Sequence, residues 1–387
     1  MSVTAPAGFV AAGVACGIKP SGALDLSFVA TADGEPVPAA GVFTSNKMTA
    51  APVIVTNRHL ERTGGLAVGV VLNSGNANAA MGAQGEADAI TMCEAAGAAL
   101  GCDPHHILVC STGLIGIPLP IETITAGIPA VVAARSVDGA AQAAEAIRTT
   151  DTHAKQVLVE GDGFLVGGMA KGAAMLEPNM ATMLAVLTTD AEATPAQLKA
   201  ALLAGIEESF NALSTDGCQS TNDTVLLFAS GAAGPAAPGA LDAAVAAACA
   251  DLAGQMAGDA EGATKVVRVT VHGAASDTEA KQGARKVADS NLCKCSWYGL
   301  DPYWGRICSE LGSAGIEFDA TKVSVRYGGV EVAAGGIEIP HDKEAVAAHM
   351  AGRHLDIVAD LGLGGGSGSI LTNDLTHAYI DENTGGS

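Results

Sequence analysis

Strand-like and helix-like segments alternate along this 387-residue chain, and that alternation limits the possible folds more than any other feature. Residues 53–56 and 67–72 read as strands, 84–100 as a helix and 107–110 as another strand, followed by Ala-rich helical stretches near 121–134 and 139–148. Short β-branched runs separated by longer helical patterns are the grammar of layered α/β structure. The interior must be built from small side chains, because hydrophobic residues make up 49% of the chain while aromatics make up 3%, alongside 49 glycines. Such a core lets backbones approach closely.

The same grammar continues downstream. Residues 156–169 read as a hairpin turning at Gly161-Asp162-Gly163. A loop kept irregular by Gly172 and Pro178 follows, then a buried-type strand over 182–187. Thr194 and Pro195 start a helix on which Leu198, Leu202, Ile206 and Phe210 recur every four residues. A strand over 224–228, a surface loop over 231–239 and a helix over 241–256 come next. Val267, Val269 and Val271 alternate with Arg268, Thr270 and His272, as in a half-buried antiparallel strand. From Ser276 a second unit begins, with a helix to Asp289, strands near 322–327 and 330–333, a helix near 343–350 and strands near 356–361 and 369–371. The expected organisation is a main α/β domain over 1–275 and a smaller C-terminal α/β domain over 276–387.

A formal net charge of −21 argues against nucleic acid and against an anionic membrane surface, since both need clustered Lys and Arg. No run of 18 or more apolar residues offers a membrane span, and the first residues lack the basic start of a signal peptide. Nine scattered cysteines suit reduced thiols in a cytoplasm. Cys293 and Cys295 form a C-x-C pair without a partner pair at finger-like spacing, so no metal site is expected. The glycine-rich stretch 362–368 lacks the Lys-Ser/Thr end of a P-loop and carries Ser367 where G-x-G-x-x-G needs glycine, so it reads as a turn between strands.

One junction has chemistry beyond these. In Met180-Ala181-Thr182-Met183, a threonine follows a small residue where a Gly/Pro-bearing loop meets a buried strand. Its hydroxyl could attack the Ala181 carbonyl, pass through an ester and release a new N-terminus. The freed α-amine has a pKa of about 7.7–8.0 and can act as base for its own hydroxyl. Taken alone, a threonine opening a strand is simply a β-branched residue where β-branching fits. Ser111-Thr112-Gly113, at the end of the 107–110 strand, offers a hydroxyl and an amide to one oxyanion, although a plain strand-end turn would look the same.

Taken together, these segments resemble the ornithine acetyltransferases of arginine biosynthesis, the bifunctional glutamate N-acetyltransferase family. The matching pieces run nearly end to end. They include Gly41-Val42-Phe43-Thr44, Leu72-Asn73-Ser74-Gly75-Asn76-Ala77-Asn78-Ala79, Ser111-Thr112-Gly113-Leu114-Ile115-Gly116 and Thr149-Thr150-Asp151-Thr152. Later come the stretch 171–190 around Thr182, Ser220-Thr221-Asn222-Asp223-Thr224, Glu261-Gly262-Ala263-Thr264-Lys265, the run Asp301-Pro302-Tyr303-Trp304-Gly305-Arg306, and Asp374-Leu375-Thr376-His377.

The resemblance implies an α/β sandwich of the ornithine acetyltransferase type, self-cleaved between Ala181 and Thr182. The chains 1–181 and 182–387 would stay together as a heterotetramer of α and β subunits. Thr182 would be the nucleophile, Thr112 and Gly113 the oxyanion pair, and Thr149, Lys171, Thr182, Glu261, Asn383 and the terminal Ser387 substrate contacts. Acetyl would pass from N-acetyl-L-ornithine to L-glutamate by ping-pong, releasing ornithine, with no metal or prosthetic group and with acetyl-CoA as a further candidate donor. This chain departs from the pattern at Tyr303, where the family has Asn, and in a tail one residue shorter than usual. A self-processed amidohydrolase or aminopeptidase, with water as final acceptor, and a non-catalytic scaffold of the same fold are the alternatives.

Overall fold

The computed structural model describes residues 2–177 and 183–384, which divide into two compact units. The first comprises Met1–Asn211 and Gln219–Met256, the second Ala212–Cys218 and Ala257–Ser387.

In chain order the first unit begins with β1 (Phe9–Val14), β2 (Leu26–Thr31), β3 (Val37–Phe43), α1 (Ala51–Thr63), β4 (Leu66–Ala67), β5 (Gly69–Asn76), α2 (Gly82–Leu100) and β6 (Ile107–Leu114). It continues through α3 (Ile121–Ala134), α4 (Ala140–Ala146), β7 (Lys155–Glu160), β8 (Leu165–Lys171), β9 (Leu184–Glu192) and α5 (Pro195–Glu207). After β10 (Leu213–Ser214), which belongs to the second unit, come β11 (Thr224–Pro235) and α6 (Ala240–Gly258).

These strands form a four-stranded sheet ordered β1-β2-β5-β6 and a six-stranded sheet ordered β4-β3-β11-β9-β8-β7. Val70, Leu72 and Leu108 of the first sheet pack with Met169, Val186, Leu226 and Phe228 of the second in one core, so the sheets lie face to face. The outer face of the smaller sheet buries Phe28, Val71 and Val109 against Val55 of α1, Met92 of α2 and Ile128 of α3. On the larger sheet α5 lies over β3 and β11, and Gly205 lets α5 approach α6 so closely that a Cβ there would sit 3.1 Å from the Ala246 backbone. The unit is a helix–sheet–sheet–helix sandwich, the layered α/β architecture expected. Its central strand β9 is buried on both faces from Leu184 to Ala191, which is why it reads as an unbroken apolar-rich run.

The second unit adds β12 (Val266–Ala274), α7 (Asp277–Ala288), α8 (Asn291–Tyr298), α9 (Trp304–Gly312), β13 (Ser324–Tyr327), β14 (Val330–Ala334) and β15 (Ile337–Glu338). It ends with α10 (Lys343–Ala351), β16 (His354–Asp360), β17 (Gly366–Asn373) and α11 (His377–Glu382). Its sheet is ordered β10-β17-β12-β16-β13-β14-β15, and Trp297, Leu311, Tyr327 and Met350 anchor its core.

Three expectations need correction. The run 53–56 is helical, inside α1, where Pro52 stands in the first turn and the buried Val53, Thr56 and Leu60 share one helix face. Four β-branched residues are too few to show a period, and tertiary packing overrode their propensity. The surface loop expected over 231–239 is strand as far as Pro235. The units also do not meet at residue 275: β12 lies inside the second sheet, paired in parallel with β16 and antiparallel with β17. Its alternating pattern revealed a half-buried strand but not its partners, which lie far downstream.

Candidate functional site

The expected oxyanion pair sits where β6 ends. β5 and β6 run parallel from Gly69 and Ile107 until the register shifts at Gly75 and Asn76, opposite Gly113 and Thr112. Gly113 has φ +132°, and a Cβ there would stand 2.3 Å from the Gly75 carbonyl carbon, so no other residue fits without moving the neighbouring strand. Thr112 is buried. An asparagine-built turn supports the pair from the side. Asn73 donates to the Asn76 carbonyl at 2.9 Å, Asn76 to the Ile117 and Pro118 carbonyls at 3.1 Å each, and Asn78 to Gly85 at 2.8 Å. The Ala77 amide closes the turn on the Leu114 carbonyl at 2.9 Å.

Lys171 and Thr149 are gathered around one buried carboxylate. Lys171 ends β8, 4% exposed, and pairs in register with Leu184, two residues beyond Thr182. Asp151 accepts from Lys155 Nζ at 2.6 Å and from the Gly172 amide at 2.8 Å through Oδ1, and from the Thr149 amide at 3.2 Å through Oδ2. The Arg148 guanidinium holds the Asp151 carbonyl at 2.6 Å. Burial works to raise the Asp151 carboxyl, but the ammonium groups of Lys171 and Lys155 and the Gly172 amide outweigh it and hold it well below the ordinary carboxylate range. This is a fixed, ionised cluster.

The start of β9 is held by the segment before β11. The Met183 amide donates to Asp223 Oδ1 at 3.0 Å, and the Met183 carbonyl accepts from the Thr224 amide at 3.1 Å. Asp223 is fully buried, and burial pushes its carboxyl well above the usual range, against the pull of the Met183 amide and Lys171. Next to it, Asn222 donates to the Ser111 carbonyl at 2.9 Å and the Ala77 carbonyl at 2.6 Å. The oxyanion strand and the residue after Thr182 are therefore tied to adjacent residues of one loop.

In the second unit, Glu261 and Asn383 come together: Asn383 Nδ2 donates to Glu261 Oε2 at 2.8 Å and to the Tyr379 carbonyl at 2.9 Å. Two sequence segments are knitted to bring this about. Asp374 accepts from the Thr264 and Lys265 amides at 2.9 Å each, and Thr376, the N-cap of α11, donates to the Gly262 carbonyl at 2.7 Å. The Tyr379 hydroxyl donates to Asp216 at 3.2 Å; burial first, then that carboxylate, pushes the phenol up.

The cleavage pair Ala181 and Thr182, and the terminal Ser387, lie outside the described residues. Asp151, Lys155, Asn222 and Asp223 were not singled out from sequence. A signal did exist: Ser220-Thr221-Asn222-Asp223 is a wholly polar run that ends in a buried position against an apolar strand.

The ArgJ family model matches residues 10–385. The arginine biosynthesis bifunctional protein ArgJ of Mycobacterium leprae (strain TN) is 48% identical over 391 residues, 99% of this chain and 95% of that protein. Its namesake from Thermobifida fusca (strain YX) is 46% identical over 385 residues, 99% of each. Among solved structures, argJ from Bacillus halodurans shares 35% identity over 51% of this chain and 96% of its own, with a TM-score of 0.49. Ornithine acetyltransferase complexed with ornithine, from Mycobacterium tuberculosis, shares 44% over 47% and 96%, with a TM-score of 0.42. The chain belongs to the ArgJ family and is an acetyltransferase of arginine biosynthesis.

Proposed function

We propose that the chain cuts itself between Ala181 and Thr182 and then carries acetyl from N-acetyl-L-ornithine to L-glutamate on the Thr182 hydroxyl. In the first step Thr182 Oγ attacks the Ala181 carbonyl carbon and the peptide C–N bond breaks as its nitrogen takes up the proton, leaving a free Thr182 amine and an ester between Ala181 and Oγ; water then splits that ester into an Ala181 carboxylate and the Thr182 hydroxyl. In turnover the amine takes the hydroxyl proton as Oγ attacks the acetyl carbon. The oxyanion accepts from the Thr112 hydroxyl and the Gly113 amide, the acetyl C–N bond breaks, and the proton leaves with ornithine. The glutamate amine then attacks the acetyl-Thr182 ester and regenerates the hydroxyl.

The observation that carries this reading is the register of Lys171 with Leu184, which sets a buried ammonium beside the start of the strand that follows Thr182. An ammonium there suits the α-carboxylate of an acylated amino acid, and Thr149 shares its Asp151 anchor. Glu261 and Asn383 keep, in this proposal, their assignment as substrate contacts, Glu261 for the amino group; Ser387 keeps its terminal contact. No metal or prosthetic group takes part in the steps above, and acetyl-CoA is a second donor. Chains 1–181 and 182–387 remain associated, two of each. The enzyme works in the cytoplasm, a reading supported by nine free cysteines; no helix among the described residues is long and apolar enough to cross a membrane.

Intact mass with and without N-acetylornithine tests the proposal. Two chains, the smaller-numbered ending at Ala181, and one acetyl added to the chain beginning at Thr182 are expected. A single uncleaved chain that still turns over, or full activity in Thr182→Ala, would refute it. Acetate release independent of glutamate would instead identify an amidohydrolase.

A further inference from the structure

The strand that follows Thr182 and the strand that carries Thr112 and Gly113 lie in different sheets of the sandwich, and acyl transfer requires nucleophile and oxyanion donors to keep their spacing to well under 1 Å. β6 carries Thr112 and Gly113 in the four-stranded sheet, while β9 begins just after Thr182 in the six-stranded one. Two adjacent, buried side chains span that gap. Asn222 Nδ2 holds the carbonyl of Ser111, the residue before Thr112, at 2.9 Å, and the Ala77 carbonyl of the supporting turn at 2.6 Å. Asp223 Oδ1 receives the Met183 amide at 3.0 Å.

The dipeptide is itself immobilised. The Asp223 carbonyl accepts from the Thr44 amide at 3.0 Å, the Thr221 carbonyl from the Ala50 amide at 2.9 Å, and the Ser220 carbonyl from the Thr44 hydroxyl at 2.8 Å. Asn222 Oδ1 accepts from the Thr221 hydroxyl at 2.6 Å, which leaves the amide nitrogen aimed at Ser111 and Ala77. Removing either side chain would leave buried main-chain groups without their partner, at a cost a plain loop would not carry.

We propose that Asn222 and Asp223 are positioning residues for the acetyl transfer: Asn222 sets the oxyanion strand, Asp223 sets the residue that follows the nucleophile, and their adjacency fixes the spacing of the two. The proposal rests on the reading of Thr182 as nucleophile and of Thr112 and Gly113 as oxyanion donors. It makes Asp223 an acceptor, so an asparagine, which keeps an oxygen at the same place, should replace it.

The test compares Asp223→Ala, Asp223→Asn, Asn222→Ala and Thr182→Ala in the full chain. For each, the two-chain fraction comes from intact mass, stability from thermal melting, and kcat and KM for N-acetylornithine are given per two-chain enzyme. A displacement of about 1 Å costs roughly 100-fold, so Asp223→Ala and Asn222→Ala are expected to lose about that in kcat, with KM changed by less than about threefold and with slower self-cleavage. Asp223→Asn is expected to restore most of the kcat. Wild-type kcat and processing in Asp223→Ala or Asn222→Ala, with Thr182→Ala inactive, would overturn the positioning role while leaving the nucleophile reading intact. Activity in Thr182→Ala would remove both. Loss in Asp223→Asn equal to that in Asp223→Ala, at unchanged melting temperature, would also overturn it, because an acceptor would then not be what matters. Should Asp223→Ala fail to fold, Asn222→Ala decides by the same kcat criterion.

Discussion

Two groups of polar residues were expected to meet substrate, and they are built in opposite ways. Asp151, Lys155 and Lys171 are all buried, and the Lys155–Asp151 ion pair has no exposed side-chain surface on either partner. The Glu261–Asn383 pair of the second unit is solvent-facing, held by a side-chain hydrogen bond and by the end of a six-residue helix. A buried charge must be compensated at all times, so the first group is rigid whether or not substrate is present. An exposed pair carries no such obligation and can exchange its partners for a ligand at little cost.

The contrast breaks most sharply at Asp151. Asp151→Ala removes the buried carboxylate partner of the Lys155 ammonium and the anchor of the Gly172 and Thr149 amides; a loss of about 3–5 kcal/mol is expected in denaturant unfolding, against near-zero for the exposed pair. A variant as stable as the wild type would show that this cluster is not compensated as described. Next is Gly113→Ala, where the added carbon meets the Gly75 backbone and the left-handed φ is lost. Steady-state kinetics should show kcat down by roughly 10²–10³, the magnitude of losing one oxyanion donor. An unchanged kcat would dismiss Gly113 from that role.

The pH dependence sharpens the comparison in sign. Asp151 is held below its ordinary range, against burial, by Lys171 and Lys155, so its contribution is present above the unfolded carboxylate pKa of about 3.9 and is lost as pH falls toward the folded value. Asp223 is pushed up by burial, so its contribution is full below that unfolded value and is lost as pH rises through the folded one. Melting temperature against pH should therefore lose part of its acid-side fall in Asp151→Asn, whereas Asp223→Asn should lose part of a decline on the higher-pH side. The smallest effect on stability belongs to Glu261→Ala and Asn383→Ala, expected within about 0.5 kcal/mol of wild type while KM for the amino acid rises roughly tenfold. A large fall in melting temperature with KM untouched would make that pair structural instead.

Much of this was legible in the residues. The 3.6-residue and two-residue periodicities of α2, α3, α5, β12 and the β7–β8 hairpin could be read directly, since each is a local pattern with its own punctuation: Thr194 and Pro195 do open α5, where Thr194 also forms a capping box with Gln197. Thr112 and Gly113 stood out as a hydroxyl and an amide at a strand end, whereas Thr149, Lys171, Glu261 and Asn383 were named only because whole segments, in order, resembled a family. What escaped was wherever short range and long range disagree. The segment 53–56 looks extended and is helical, and β1 and β3, each with Ala-Ala-Gly at its centre, carry too little β-branching to announce themselves.

By itself, then, the order of side chains determined that this is a layered α/β protein with a small-residue core, and that its segments match, in order, those of the ArgJ family. Only the tertiary structure decided that β12 pairs with β16 and β17, that Asp151 is shared by Thr149 and Lys155, and that Asn222 and Asp223 reach two different sheets. The reason is physical: periodicity and capping depend on neighbours within a few residues, whereas the partner of a buried polar group is chosen by which distant backbone it must satisfy once water has been excluded.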